Sequence, residues 1–88
     1  MKEKELERTL KALANRRRLV IISYLKKQKE ANVGEIAEHI HLSFKSTSRH
    51  LSVLANTGIL DREQRSSEAY YKLGFEIPDA ANRIIYIL

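Results

Sequence analysis

The spacing of apolar residues changes at Gly58, and that change fixes the order of elements this chain can build. Before it, apolar side chains recur every three or four residues. Leu6, Leu10 and Leu13 form one helical stripe with charges between them. Leu19, Ile22 and Leu25 form a second, widened by Val20, Ile21 and Tyr24, and Asn15 suits the cap at its start. Gln28 to Asn32 reads as a polar connection. Val33, Ile36, Ala37 and Ile40 give a short third helix ending near His41. Ser43 caps a fourth helix with the inner stripe Thr47, Leu51 and Leu54, and Gly58 stands where a left-handed C-cap is expected. Beyond Gly58, Ile59 to Gln64 and Ala69 to Leu73 are short β-forming runs around the polar turn Arg65-Ser66-Ser67-Glu68. Pro78 suits the first turn of a last helix striped by Ala81, Ile84, Ile85 and Leu88. The expected order is four helices, a hairpin and a fifth helix.

Eighty-eight residues make one domain, and a chain of this size hides only about 60–65% of its unfolded surface. The absence of cysteine excludes disulfide frameworks, thiolate metal sites and thiol nucleophiles. One proline and three glycines exclude a glycine-rich phosphate loop. No apolar run approaches a membrane span, and MKEKELER is a charged amphipathic stretch rather than a secretory signal, so a cytoplasmic protein is expected. Sixteen basic against eleven acidic residues leave +5, which favours a polyanionic partner. The excess is local. From Asn15 to Arg49 there are eight Lys or Arg residues and three acids, while the flanks cancel. Lys26, Lys27 and Lys29 are read as solvated surface.

Two short helices, a tight turn and a following hairpin are the pattern of a winged helix-turn-helix. Ala37, fifth from Val33, is small enough for the two helices to cross closely, and Ile36, Ile40, Leu42 and Thr47 fill the inward positions. His41 takes the ninth position, where glycine is common because the backbone turns left-handed, and histidine tolerates that conformation. The outward face of the fourth helix then reads Phe44, Lys45, Ser46, Ser48 and Arg49, with Ser52 a turn further on. From Leu42 to Asn56 there is no acid. A solvated face ordinarily mixes Glu with Lys; hydroxyls and cations alone suit the major groove, where Lys and Arg donate to guanine and Ser to phosphates or bases.

The segments ALANRRRLVIISYL, IAEHIHLSFKSTSRHLSVLANTGIL and YYKL resemble the ArsR family of winged-helix repressors over roughly residues 10 to 73. The resemblance implies a homodimer, a palindromic operator, repression in the free state and release by an effector. It assigns DNA reading to Lys45, Ser46, Ser48 and Arg49. Phe44 stands where the family commonly has Gln; it can pack on a thymine methyl but cannot hydrogen-bond a base. Metal-sensing members carry cysteines at the start of the third helix, where this chain has Ala31-Asn32-Val33-Gly34-Glu35, or Asp and His on the last helix, where this chain offers Asp79 and Glu76 without His. No metal and no cofactor are expected, and the effector is not legible.

His39 and His41 diverge on a helix and lack a third ligand at a known spacing. No Ser-His-Asp or paired-carboxylate group is present, so an enzyme is not expected. Arg16, Arg17 and Arg18 crowd the start of the second helix, against its dipole. The resemblance implies that Arg18 is structural, an ion pair with an acid such as Glu35 being the ordinary explanation, while Arg16 and Arg17 are candidates for phosphate. The resemblance implies that His50 hydrogen-bonds beneath the recognition helix. Arg62 and Arg65 are candidates for DNA contact from the wing, diluted by Asp61, Glu63 and Glu68. Leu6, Leu10 and Leu13 with Ala81, Ile84, Ile85 and Leu88 are expected at a dimer seam, because so small a chain gains most by burying such stripes in a partner.

The expected architecture is therefore mainly α with a small β-hairpin, a single winged helix-turn-helix domain over 1–88. Its helix-turn-helix is expected at about 33–57, its wing at about 59–73 and its dimerisation segments at 1–13 and 78–88. The expected partners are double-stranded DNA and a second copy, with no membrane. A protein-interaction module and a structured-RNA binder are the rival readings.

Overall fold

The computed structural model describes residues 1–88. Five helices and three strands follow in the order α1 (Lys2–Leu13), α2 (Arg16–Gln28), β1 (Glu30–Asn32), α3 (Val33–Ile40), α4 (Phe44–Asn56), β2 (Leu60–Arg65), β3 (Glu68–Leu73) and α5 (Asp79–Ile87). The strands form one antiparallel sheet in the order β1-β3-β2.

The caps explain where the helices begin. The Asn15 side chain accepts from the Arg18 backbone N–H, and Ser43 Oγ accepts from that of Ser46. Asn32 and Glu35 form a reciprocal capping box at α3, with bonds of 2.8 and 2.9 Å. The ends are equally local. His41 is left-handed at φ 55°, and the next residue's N–H reaches back from Leu42 to the Ala37 carbonyl. Gly58 repeats the motif after α4 at φ 79°, with the Ile59 N–H bonded to the Leu54 carbonyl. Each is a Schellman closure, which turns the chain sharply without an orphaned carbonyl. The helix-turn-helix is thus held by backbone bonds on both sides of its second helix.

One core serves every element. It joins Ala12 and Leu13 of α1, Ile21, Ile22 and Leu25 of α2, Ile36 of α3, Leu51 and Leu54 of α4, Tyr71 of β3, and Ala81 and Ile85 of α5. Each fully buried Leu or Ile contributes about 1.5–3 kcal/mol by leaving water. Thr47 is the polar exception: it is fully buried and its hydroxyl has no partner. Thr47→Val keeps the shape and removes the stranded hydroxyl, so stability should rise by about 1 kcal/mol. A lower urea midpoint for that variant would show that the hydroxyl is bonded after all.

Four expectations need correction. The stretch read as a connection contains β1, whose Ala31 pairs with Tyr71 on the open edge of β3. The hairpin turn is shorter than expected, because Arg65 and Glu68 pair in the ladder and only Ser66 and Ser67 turn, with Ser66 left-handed. Pro78 lies before α5 at its N-cap rather than inside its first turn. Lys26 is not simply solvated: its Nζ donates to the Ile85 and Tyr86 carbonyls at 2.9 and 3.3 Å and so caps the C-terminus of α5.

Candidate nucleic-acid interface

The core grips α4 by Thr47, Leu51 and Leu54, so geometry dictates which residues of this helix face away. Phe44, Lys45, Arg49 and Ser52 are exposed, and Ser46 and Ser48 are half-buried beside them. The structure thus brings five predicted residues, Phe44, Lys45, Ser46, Ser48 and Arg49, onto the first half of one helix. Phe44 is 63% exposed, an unusual position for an aromatic ring without a partner. There is no acid in the first turn, so the amide dipoles and the cations add at the same end.

Beside that face, Arg18 ties three helices together. Its Nε donates to the Ala12 carbonyl at 2.6 Å and its Nη2 to the Lys11 carbonyl at 3.1 Å. Its Nη1 donates to His50 Nδ1 at 3.2 Å. The expected pairing with Glu35 is not made, because Glu35 closes the capping box of α3. The crowding of arginines at the start of α2 is offset differently: Arg18 folds back onto the negative end of α1. Arg16 and Arg17 remain exposed.

His50 is held in one tautomer by this contact. Arginine only donates, so Nδ1 must accept and the ring proton sits on Nε2. Burial, then the charges of Arg18 and Arg17, hold its pKa below the ordinary 6.5. The unfolded chain therefore takes up this proton first as pH falls. The neutral His50 contributes stability fully above about pH 6.5 and loses it as pH drops through that value towards the folded pKa. His50→Asn keeps an acceptor near Nδ1 and cannot titrate. Its melting temperature should decline less than that of the parent between pH 7 and 5, and parallel declines would remove His50 as the cause.

The wing distributes its arginines unequally. Arg65 makes a bidentate contact with Glu30 at 2.6 and 2.8 Å, reaches Glu63 at 2.8 Å, and lies 4.4 Å from the centre of the Tyr70 ring. That guanidinium holds both carboxyls below their usual range, and they in turn raise its own pKa. Arg65 is therefore engaged within the wing, joining β1 to β2, rather than a free cation as expected. Arg62 is exposed and bonded only to the neutral Gln64 side chain. The signal for this division was Glu30, which became a neighbour only through the strand that sequence reasoning missed.

The stripes expected at a seam also divide. Leu13, Ala81 and Ile85 are buried in the protomer's own core, and Ile84 is half-buried. Leu6, Leu10 and Leu88 stay exposed, joined on the outside by Tyr86 and Ile87. His39 stacks on Tyr24 with ring centres 4.2 Å apart. No group of three or more His, Cys, Asp or Glu residues is arranged to hold a metal ion. No helix is long and apolar enough to cross a membrane.

Helices α3 and α4 joined by a tight turn, packed with α2 and followed by a hairpin, define a winged helix-turn-helix domain. The profile of the family described as "bacterial regulatory protein, arsR family" matches residues 15–62, and the chain belongs to that family. The transcriptional activator HlyU of Vibrio cholerae is 36% identical over 64 residues, 73% of this chain and 58% of HlyU's own length. The solved structure of that HlyU superposes with a TM-score of 0.82 at 28% identity, covering 99% of this chain and 90% of the other. A homodimeric winged helix-turn-helix DNA-binding domain, Mb0332 from Mycobacterium bovis, gives 0.79 at 27% identity over 96% and 74% of the two chains. The transcriptional repressor PagR of Bacillus anthracis gives 0.79 at 28% identity over 99% and 95%.

Proposed function

We propose that this chain is a sequence-specific duplex-DNA-binding transcriptional regulator, a homodimeric repressor that reads a palindromic operator through α4. The observation that carries the reading is the acid-free outward face of that helix, set at a helix N-terminus on a family winged helix-turn-helix. Lys45, Ser46, Ser48 and Arg49 supply donors to base edges and phosphates, and Phe44 supplies an apolar contact for a thymine methyl. Arg16 and Arg17, exposed at the start of α2, serve as phosphate contacts, and Arg62 serves the wing, with Arg65 stiffening it. Residues 33–57 act as the reading unit, 59–73 as the wing, and 1–13 with 78–88 as the dimerising segments.

The dimer follows from economy of recognition. One helix reads only a few base pairs, too few against a genome of competing sites, whereas two on a two-fold axis read half-sites about 34 Å apart. The homodimeric Mb0332 domain and the repressor PagR support dimer and repression respectively. The chain acts by occupying DNA, not by chemistry on it. Pull-down of genomic fragments, followed by salt titration on the recovered duplex and on hairpin RNA, tests the reading. A palindrome bound with a steep salt dependence and discrimination over RNA is the expected result. Equal affinity for random duplex, or a preference for hairpin RNA, would overturn it.

A further inference from the structure

A cluster of positive charge outside the recognition face lies where α1 crosses the C-terminal end of α4. A cleft of about 490 Å³ opens there, rimmed by Lys4, Arg8, Lys11 and Arg18. Its one acid, Glu7, is paired with Lys11 at 3.8 Å on the exposed rim. Its apolar surface is the exposed Val53 side chain, with the buried Ala12 at its base. Leu6 and Leu10 lie on another flank of α1 and are not part of it. Of the four cations, Arg18 has its donors committed to Lys11, Ala12 and His50. Lys4 makes no hydrogen bond or ion pair, and Arg8 makes one: its Nη2 donates to the Asn56 carbonyl at 2.6 Å.

That one bond matters to α4. Its last turn contains no basic residue of its own, so Arg8, reaching across from α1, is the cation that meets the negative end of the recognition helix. We propose that this cleft binds a small organic carboxylate, its head on Lys4 and Arg8 and its apolar body along the exposed Val53 side chain, and that the ligand regulates α4. A carboxylate accepts a charge-assisted bond from arginine more strongly than a neutral carbonyl does, so it competes with Asn56 for Arg8. The binding claim stands on the cleft alone; the regulatory claim rests on the DNA-binding reading above.

The test uses octanoate, with inorganic phosphate at matched ionic strength, on the full chain without DNA and then with the recovered duplex. Octanoate should shift the Val53 and Ala12 methyl resonances saturably, and phosphate should not. Lys4→Gln with Arg8→Gln should weaken octanoate at least tenfold while the chain stays folded by its methyl spectrum. Bound octanoate should weaken duplex binding by about fivefold or more. Absent methyl shifts, equal shifts by phosphate, or an unchanged affinity in the Gln variant would each overturn the carboxylate site. Saturable shifts with unchanged duplex affinity would overturn the regulatory step alone. Saturable shifts in a chain that binds no duplex would sink the DNA-binding reading and leave the site standing.

Discussion

Arg49→Ala should cost about 1–3 kcal/mol per half-site, so a symmetric dimer on its operator should lose about 2–6 kcal/mol, roughly 30-fold to more than 10⁴-fold in affinity. The size follows from position. Arg49 lies one turn inside α4 on the exposed side, two residues after the buried Thr47 and two before the buried Leu51. It makes no hydrogen bond or ion pair within the chain, unlike Arg8, Arg18, Arg62, Arg65 and Arg83. Removing it strands no partner, and folding stability should change by no more than about 0.5 kcal/mol. Titration of the parent and variant with the operator and with random duplex of equal length separates the alternatives. Equal losses on both would mean a phosphate contact without sequence reading. A marked fall in melting temperature would mean that Arg49 is structural.

The recognition helix was legible in the sequence because each of its determinants is local. Ser43, the Thr47-Leu51-Leu54 stripe and Gly58 lie within one stretch of chain, and each acts through backbone bonds or helical periodicity. His41 at the left-handed turn was readable for the same reason. What escaped depends on distant partners. β1 has three residues and exists because β3 offers it an edge, so no periodicity announces it. Arg65 looked like a free wing cation until β1 placed Glu30 beside it, thirty-five residues away in sequence. Arg18 was expected on Glu35 by charge matching, yet the open carbonyls at the end of α1 and the ring of His50 were nearer. An unsatisfied helix end draws a guanidinium that folds close to it, and sequence patterns weigh only the carboxylates.

The same division governs the seam, and it decides how the dimer should be tested. Deleting residues 79–88 would remove Ala81 and Ile85 from the protomer core and strip Lys26 of its carbonyl partners, so the product should unfold whatever its assembly. Leu6 and Leu10 are different. They are 43% and 47% exposed on α1, while Thr9, Ala12 and Leu13 hold that helix to the core. Tyr86 and Ile87, at 80% and 76%, extend α5's exposed apolar surface, which a solvated monomer has no reason to keep. Leu6→Glu with Leu10→Glu should therefore leave the protomer folded by circular dichroism and convert the dimer to monomer in sedimentation. Two carboxylates per chain, four across the axis, would be desolvated and opposed at the seam, at a cost of several kcal/mol. Operator affinity should fall by at least about 100-fold, because the second half-site no longer adds its contacts. A variant that stays dimeric would place the seam elsewhere. One that is monomeric yet holds the palindrome with unchanged affinity would show that each copy reads DNA alone.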